Sequence, residues 1–252
     1  MVDTHCHIHS ADYPLVPADA IERAQQAGVD RLICVGTDAD DSRLAVDFAL
    51  GHQNTWAAIG LHPHDAKLGQ PAFDVLQSLA DTPQNKIVAV GECGLDYFYG
   101  HSTKQDQEKA LRMQIELAIS HDLPLIFHVR DAFDDFWPVF DSYEGLRGVL
   151  HSFTDSAENA AIALEKGLYI GINGIMTFTK NEWQKKLVKS LPINRILLET
   201  DAPFLTPVPK RGTINEPANV LLVAKFLSEL RGEPLEVITR ATTKNAIALF
   251  SL

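Results

Sequence analysis

Imidazoles and carboxylates close a series of short apolar runs in this chain. His5 and His7 end the run that starts at Val2, and Glu92 follows Ile87-Val88-Ala89-Val90-Gly91. His128 follows Leu125-Ile126-Phe127, His151 follows Gly148-Val149-Leu150, and Asp201 follows Ile196-Leu197-Leu198-Glu199-Thr200. His62 follows Trp56–Leu61 by the same rule. These side chains are ligands for divalent cations of the zinc, manganese or magnesium kind, and no set of thiolates accompanies them to close off a structural zinc site. A single His-x-His pair is a weak signal. With 10 His in the chain, chance gives about 0.4 such pairs. The sequence has three: His5/His7, His7/His9 and His62/His64.

Alternation of side chains along a strand puts His5 and His7 on one face and Cys6 on the other. The same parity groups Val88 with Val90 and Glu92, Ile126 with His128 and Arg130, and Leu197 with Glu199 and Asp201. Four His and two carboxylates exceed what one catalytic ion takes, because such an ion keeps a coordination position open. Two ions bridged by one carboxylate use all six. The expected assignment is His5, His7 and Asp201 to one ion, His128 and His151 to the other, and Glu92 as the bridge. A carbamylated Lys is the alternative bridge in such centres, and no strand end here offers one. Coordination lowers the pKa of water from 15.7 toward about 7, and Asp201 is expected either to accept the water proton or to serve as a ligand only. Glu199 is expected to orient a ligand His or to make an ion pair within the barrel. His9, His52, His64, His101 and His121 read as surface or loop residues.

Positioning such a set requires many strand ends at one level. Short β-type runs are expected at Val2–His7, Arg31–Gly36, Thr55–Leu61, Ile87–Glu92, Pro124–Val129, Gly148–Phe153, Leu168–Asn173 and Arg195–Asp201. Amphipathic stretches separate them, among them Ala18–Ala27, Asp41–Leu50, Phe73–Ala80, Lys104–Ser120, Phe133–Phe140, Ala157–Lys166 and Asn181–Leu191, with Ala218–Leu230 and Leu235–Phe250 after the last strand. Eight strands alternating with helices predict an α/β (β/α)8 TIM barrel, a single domain over 1–252, whose chemistry sits at the carboxyl ends of the strands. An open doubly wound sheet is the other arrangement of such units, but the Gly-rich phosphate loop after its first strand is missing. Ala202–Pro217, stiffened by four of the 13 prolines, and Gly94–Thr103 are expected to overhang the site.

Composition narrows the partners. Lys and Arg number 22 against 33 Asp and Glu, a net charge of −11, which excludes a broad basic surface for gripping duplex nucleic acid. Two divalent ions nonetheless outweigh the charge of Glu92 and Asp201, so the site itself would attract phosphate. Three irregularly spaced Cys argue against a disulfide framework and for a reducing compartment. With no leader and no apolar run of membrane-spanning length, a cytoplasmic, monomeric protein is expected.

Asp3-Thr4-His5-Cys6-His7, Gly60-Leu61-His62-Pro63, Gly91-Glu92-Cys93-Gly94-Leu95-Asp96-Tyr97, His128-Val129-Arg130-Asp131-Ala132, His151-Ser152-Phe153-Thr154 and Glu199-Thr200-Asp201-Ala202-Pro203 together resemble the signatures of the TatD family, metal-dependent DNases of the amidohydrolase-type barrel superfamily. The resemblance covers essentially the whole chain, including Gly171–Phe178 and Asn215-Glu216-Pro217. It implies a TIM barrel, a divalent-metal centre and hydrolysis of nucleic-acid phosphodiesters. With such a substrate, Arg130 is expected to hold a phosphate oxygen or to pair with Asp131 or Asp96, and His62 to face the scissile phosphate or to make an ordinary loop hydrogen bond. Asp96 and Tyr97 are then candidate sugar or base contacts. The chain departs from the family pattern at His9, where members often carry Asp, and at Thr213 and Ile214 in a loop that tends to be more basic. The expected activity is a DNase, an exonuclease on single-stranded or strand-end DNA. An amidohydrolase or esterase using the same centre on a small C–N or C–O substrate is the alternative, and a non-enzymatic barrel is the rival from another class.

Overall fold

The computed structural model describes residues 1–84 and 86–252. Its strands are β1 (Val2–Cys6), β2 (Arg31–Val35), β3 (Thr55–Ile59), β4 (Ile87–Asp96), β5 (Leu125–Arg130), β6 (Gly148–Leu150), β7 (Tyr169–Ile172) and β8 (Ile196–Leu198). They form one sheet in chain order, and the bridge from Cys6 to Ala202, just beyond β8, returns the last strand to the first. This is the (β/α)8 class read from the alternation of strands and helices.

Two compact parts make up the chain, Met1–Cys34 with Ser152–Leu252, and Val35–His151. In the first, β1 pairs with β2 and β7 with β8, both parallel. Its helices are α1 (Pro17–Gln26), α6 (Ala157–Glu165), α7 (Ile175–Phe178), α8 (Glu182–Ser190), α9 (Val220–Arg231) and α10 (Leu235–Phe250). Pro17 opens α1, where its missing N–H costs nothing. Ser156 caps α6 by accepting from Asn159 N–H. Ile33, Cys34, Ile170, Ile196, Leu197, Val223 and Ile238 are fully buried between strands and helices.

In the second part, β3, β4, β5 and β6 pair in parallel succession, with α2 (Ala39–Gly51), α3 (Gly69–Ala80), α4 (Lys104–Ser120) and α5 (Phe133–Phe140). Asp38 caps α2 and Thr103 caps α4. β4 runs four residues past the expected end at Glu92, because Cys93, Gly94, Leu95 and Asp96 continue to pair with Phe127–Arg130. Gly94 is obligatory there: a Cβ on it would lie 1.9 Å from the His128 carbonyl oxygen. A 3-10 turn at Pro63–Leu68 and the four-residue α7 were not expected, being too short to register as a hydrophobic period. Cys6, Cys34 and Cys93 are free thiols, all buried. No helix among the described residues is long and apolar enough to cross a membrane.

Candidate metal centre and substrate site

The first donor group stands at the ends of β1 and β8. His5 Nε2 lies 3.1 Å from His7 Nε2, and Asp201 Oδ1 lies 3.3 Å from His7 Nε2 and 3.7 Å from His5 Nε2. Their ligand atoms fall within 4.8 Å of one another, with His5 wholly buried. Two imidazole nitrogens and a carboxylate oxygen this close together suit a divalent cation.

The backbone explains why these three meet. Asp201 N–H donates to His5 O (2.9 Å) and His7 N–H to Ala202 O (2.7 Å), so the chain beyond β8 interlocks with the end of β1. Asp3, fully buried, accepts from Thr200 N–H at 2.9 Å and from the Thr200 hydroxyl at 2.5 Å. Burial pushes the Asp3 carboxyl well above its usual range, against the Thr200 hydrogen bonds that pull it down. Asp201 itself sits at φ 58°, a left-handed conformation that Asp tolerates better than most residues. Buried Asn215 holds this bend, donating to Thr200 O (2.9 Å) and Phe204 O (2.6 Å). The Asp201 carboxylate is therefore aimed by a strained turn with its own anchor, since β8 ends at Leu198 and strand alternation no longer applies.

The second donor group surrounds Glu92, which is 4% exposed. Its Oε1 lies 2.7 Å from His128 Nδ1 and 3.7 Å from both His62 Nε2 and His151 Nε2. His62, Glu92 and His128 present ligand atoms within 4.8 Å of one another. His128 Nε2 lies 3.0 Å from Asp96 Oδ2, which also takes His64 Nε2 at 3.2 Å. Burial alone would lower the His128 imidazole, but the carboxylates of Asp96 and Glu92 raise it to about 9. Burial takes His62 down to about 3, with Glu92 opposing, so His62 is the neutral imidazole that a metal requires. Burial would raise Asp96, yet hydrogen bonds from His128, Tyr99 N–H and His64 hold it below the usual carboxylate range.

Two glutamines on one face of α4, seven residues apart, fix the chain around this group. Gln107 accepts from Asp96 N–H (2.8 Å) and donates to Asp96 O (3.0 Å). Gln114 accepts from Leu61 N–H (2.8 Å) and donates to Leu61 O (3.0 Å), just before His62.

Several expectations change on inspection. His62, expected to face a phosphate or to make an ordinary loop hydrogen bond, accepts from His64 N–H at 3.2 Å through Nδ1 and brings its Nε2 to 3.7 Å from Glu92 Oε1. Asp96, expected to touch sugar or base, is fully buried, and its carboxylate is committed to His64, His128 and the N–H groups of Phe98 and Tyr99. The Tyr97 phenol engages Asp135, and the Lys104 ammonium lies 3.7 Å over its ring. Arg130 lies 3.9 Å over the Phe98 ring instead of pairing with Asp96. Glu199 is buried and accepts from Ser152 N–H (2.6 Å), next to His151 in sequence. It occupies the place where a Cβ on Gly171 would be, 2.5 Å from Glu199 Oε2. His9 is buried and His64 faces Asp96, so neither is an ordinary surface residue. His52 and His121 bond to Phe48 O and Asp81, apart from the donors. Asp3, His64, Gln107 and Gln114 were not singled out for a role in the site. Only the glutamines left a trace, as amides at i and i+7 on a helix whose other inward positions are apolar.

The profile of the TatD-related DNases matches residues 2–251. The chain is 37% identical to an uncharacterized metal-dependent hydrolase, YabD, of Bacillus subtilis, over 100% of this chain and 99% of that one. It is 34% identical to the 3'-5' ssDNA/RNA exonuclease TatD of Salmonella typhimurium, again over 100% and 99%. Among solved structures, the TatD homologue YJJV of Escherichia coli superposes with a TM-score of 0.92 at 32% identity, covering 100% of this chain and 98% of that one.

Proposed function

This chain belongs to the TatD-related DNase family of metal-dependent hydrolases, and from that premise we propose that it cleaves phosphodiester bonds at the ends of single-stranded nucleic acid, DNA first. The observation that carries the reading is the set of three imidazoles around Glu92 Oε1, accompanied by a separate three-donor group at His5, His7 and Asp201. The full-length similarity to a Salmonella exonuclease supports nucleic acid as the substrate.

In this reading the chain acts as one catalytic domain with two divalent ions. His5, His7 and Asp201 would hold one, and Glu92 with His128 and His151 would hold the other, with His62 available beside Glu92. Divalent ions at these positions supply activated water and neutralise charge on the phosphoryl oxygens. Asp201, 15% exposed at its side chain, would serve as the acceptor for a water proton there. Asp96 holds the His128 ring in place through Nε2, leaving Nδ1 and Glu92 on the reacting side. The net charge of −11 repels long polyanions, so a few nucleotides at a free end meet a locally positive site within an acidic surface. Such a protein works as a soluble cytoplasmic monomer.

Metal analysis paired with digestion of single- and double-stranded oligonucleotides tests the proposal. Bound divalent metal and preferential digestion of the single strand are expected. Turnover of small esters or amides with no digestion of nucleic acid would replace it with the amidohydrolase reading.

A further inference from the structure

The loop that follows β4 carries two aromatic rings into solvent, which is unusual beside a polar, metal-ligating cluster. Phe98 is 56% and Tyr99 48% exposed, and their ring centroids are 4.7 Å apart. The Arg130 guanidinium lies 3.9 Å from the Phe98 ring centroid and 5.0 Å from that of Tyr99. Tyr99 in turn stacks near His101, with centroids 5.7 Å apart and planes inclined by 21°, and stands 5.3 Å from the His64 ring.

This patch is tied to the donor group by a single carboxylate. Asp96 Oδ1 accepts from Phe98 N–H (2.9 Å) and Tyr99 N–H (3.1 Å). Asp96 Oδ2 takes His128 Nε2 and His64 Nε2. The rings are therefore held at a fixed offset from His128 by a buried anchor, so their exposure belongs to an ordered loop.

From this we infer that Phe98, Tyr99 and Arg130 form a binding site for one unpaired nucleobase of the substrate, deepening the nuclease reading on which it rests. A nucleotide has both features the patch can use: a flat π-face for the rings and an adjoining phosphate for the guanidinium. A purely apolar partner would gain nothing from Arg130. A base inside a duplex has both faces covered by its neighbours, so the site favours single strands without reading sequence.

Binding can be read without turnover, using the full chain with its metals and a dye-labelled five-nucleotide phosphorothioate strand followed by fluorescence polarisation. An abasic residue replaces each of the three terminal nucleotides in turn. In the wild type, removal of the base at one position weakens binding about tenfold. In the Phe98→Ala/Tyr99→Ala double variant, base-bearing and abasic strands bind equally, whereas Phe98→Trp keeps the discrimination. An abasic penalty that persists undiminished in the double variant, or its absence at every position in the wild type, overturns the site. A base penalty without cleavage of any unmodified strand would sink the nuclease reading and leave the site standing. Cleavage without a base penalty would sink the site alone.

Discussion

His128 Nδ1 lies 2.7 Å from Glu92 Oε1, and this pair joins the cation chemistry of the site to the proton chemistry of the protein. The other ring nitrogen is taken by Asp96, so the imidazole is held between two carboxylates and both of its nitrogens serve as donors when no cation is present.

That arrangement makes the stability of the metal-free protein depend on alkaline pH. His128 stands at about 9 in the folded chain against the usual 6.5. A raised folded value contributes stability that is complete below pH 6.5 and is lost as pH rises through about 9. Thermal unfolding in EDTA should show Tm falling by about 4 °C or more across this window. A His128→Gln variant should show a flatter profile. His62, at about 3 in the folded chain, acts in the opposite sense: its neutral form is the folded one, so its contribution disappears as pH falls below 6.5 toward 3. Its window does not overlap that of His128. An identical alkaline slope in the variant would remove His128 from this account.

Asp96→Asn replaces the acceptor for His128 and His64 with a group of the same size. Loss of a carboxylate that orients a ligand costs about 10- to 100-fold in metal affinity or activity. Titration of metal into the stripped variant, followed calorimetrically, should show this loss with little change in fold. Wild-type affinity would mean that Asp96 only anchors the loop.

Gln114→Ala strips both hydrogen bonds from the buried Leu61 peptide. Leaving a buried donor and acceptor unpaired costs about 1–3 kcal/mol each. Urea unfolding should show a loss of at least about 2 kcal/mol, and because His62 follows directly, kcat should fall as well. A neutral result would mean that water replaces the amide.

Gly94→Ala is expected to be far more damaging than its single methyl suggests. The φ of 152° and the 1.9 Å approach to His128 O leave no room without separating β4 from β5. A loss of about 3 kcal/mol or more should appear as poor recovery of folded protein and a lowered Tm.

Much of the architecture could be read from the chain because short apolar runs alternate with helical stretches, and two of those runs, Leu125–Phe127 and Gly148–Leu150, lead directly into His128 and His151. The closeness of the His5 and His7 imidazoles, 3.1 Å between their Nε2 atoms, follows from their lying two residues apart on an extended backbone. The geometry at Asp201 was not legible, because a φ of 58° depends on Asn215 and Asp3, far away in sequence, and leaves no periodic mark. Asp96 and Tyr97 read as exposed loop residues until β4 proves to extend beneath them. Arg130 has the predicted parity but turns toward Phe98 and Tyr99, a choice set by packing of loops that no pattern in one strand can reveal.

The most direct measurement is digestion of a single-stranded DNA oligonucleotide by the metal-loaded wild type and by Glu92→Gln, which keeps the size of the side chain and removes its charge. The account predicts terminal shortening of the strand by the wild type and a rate lower by about a thousandfold or more in the variant. Equal digestion by the two proteins would contradict it.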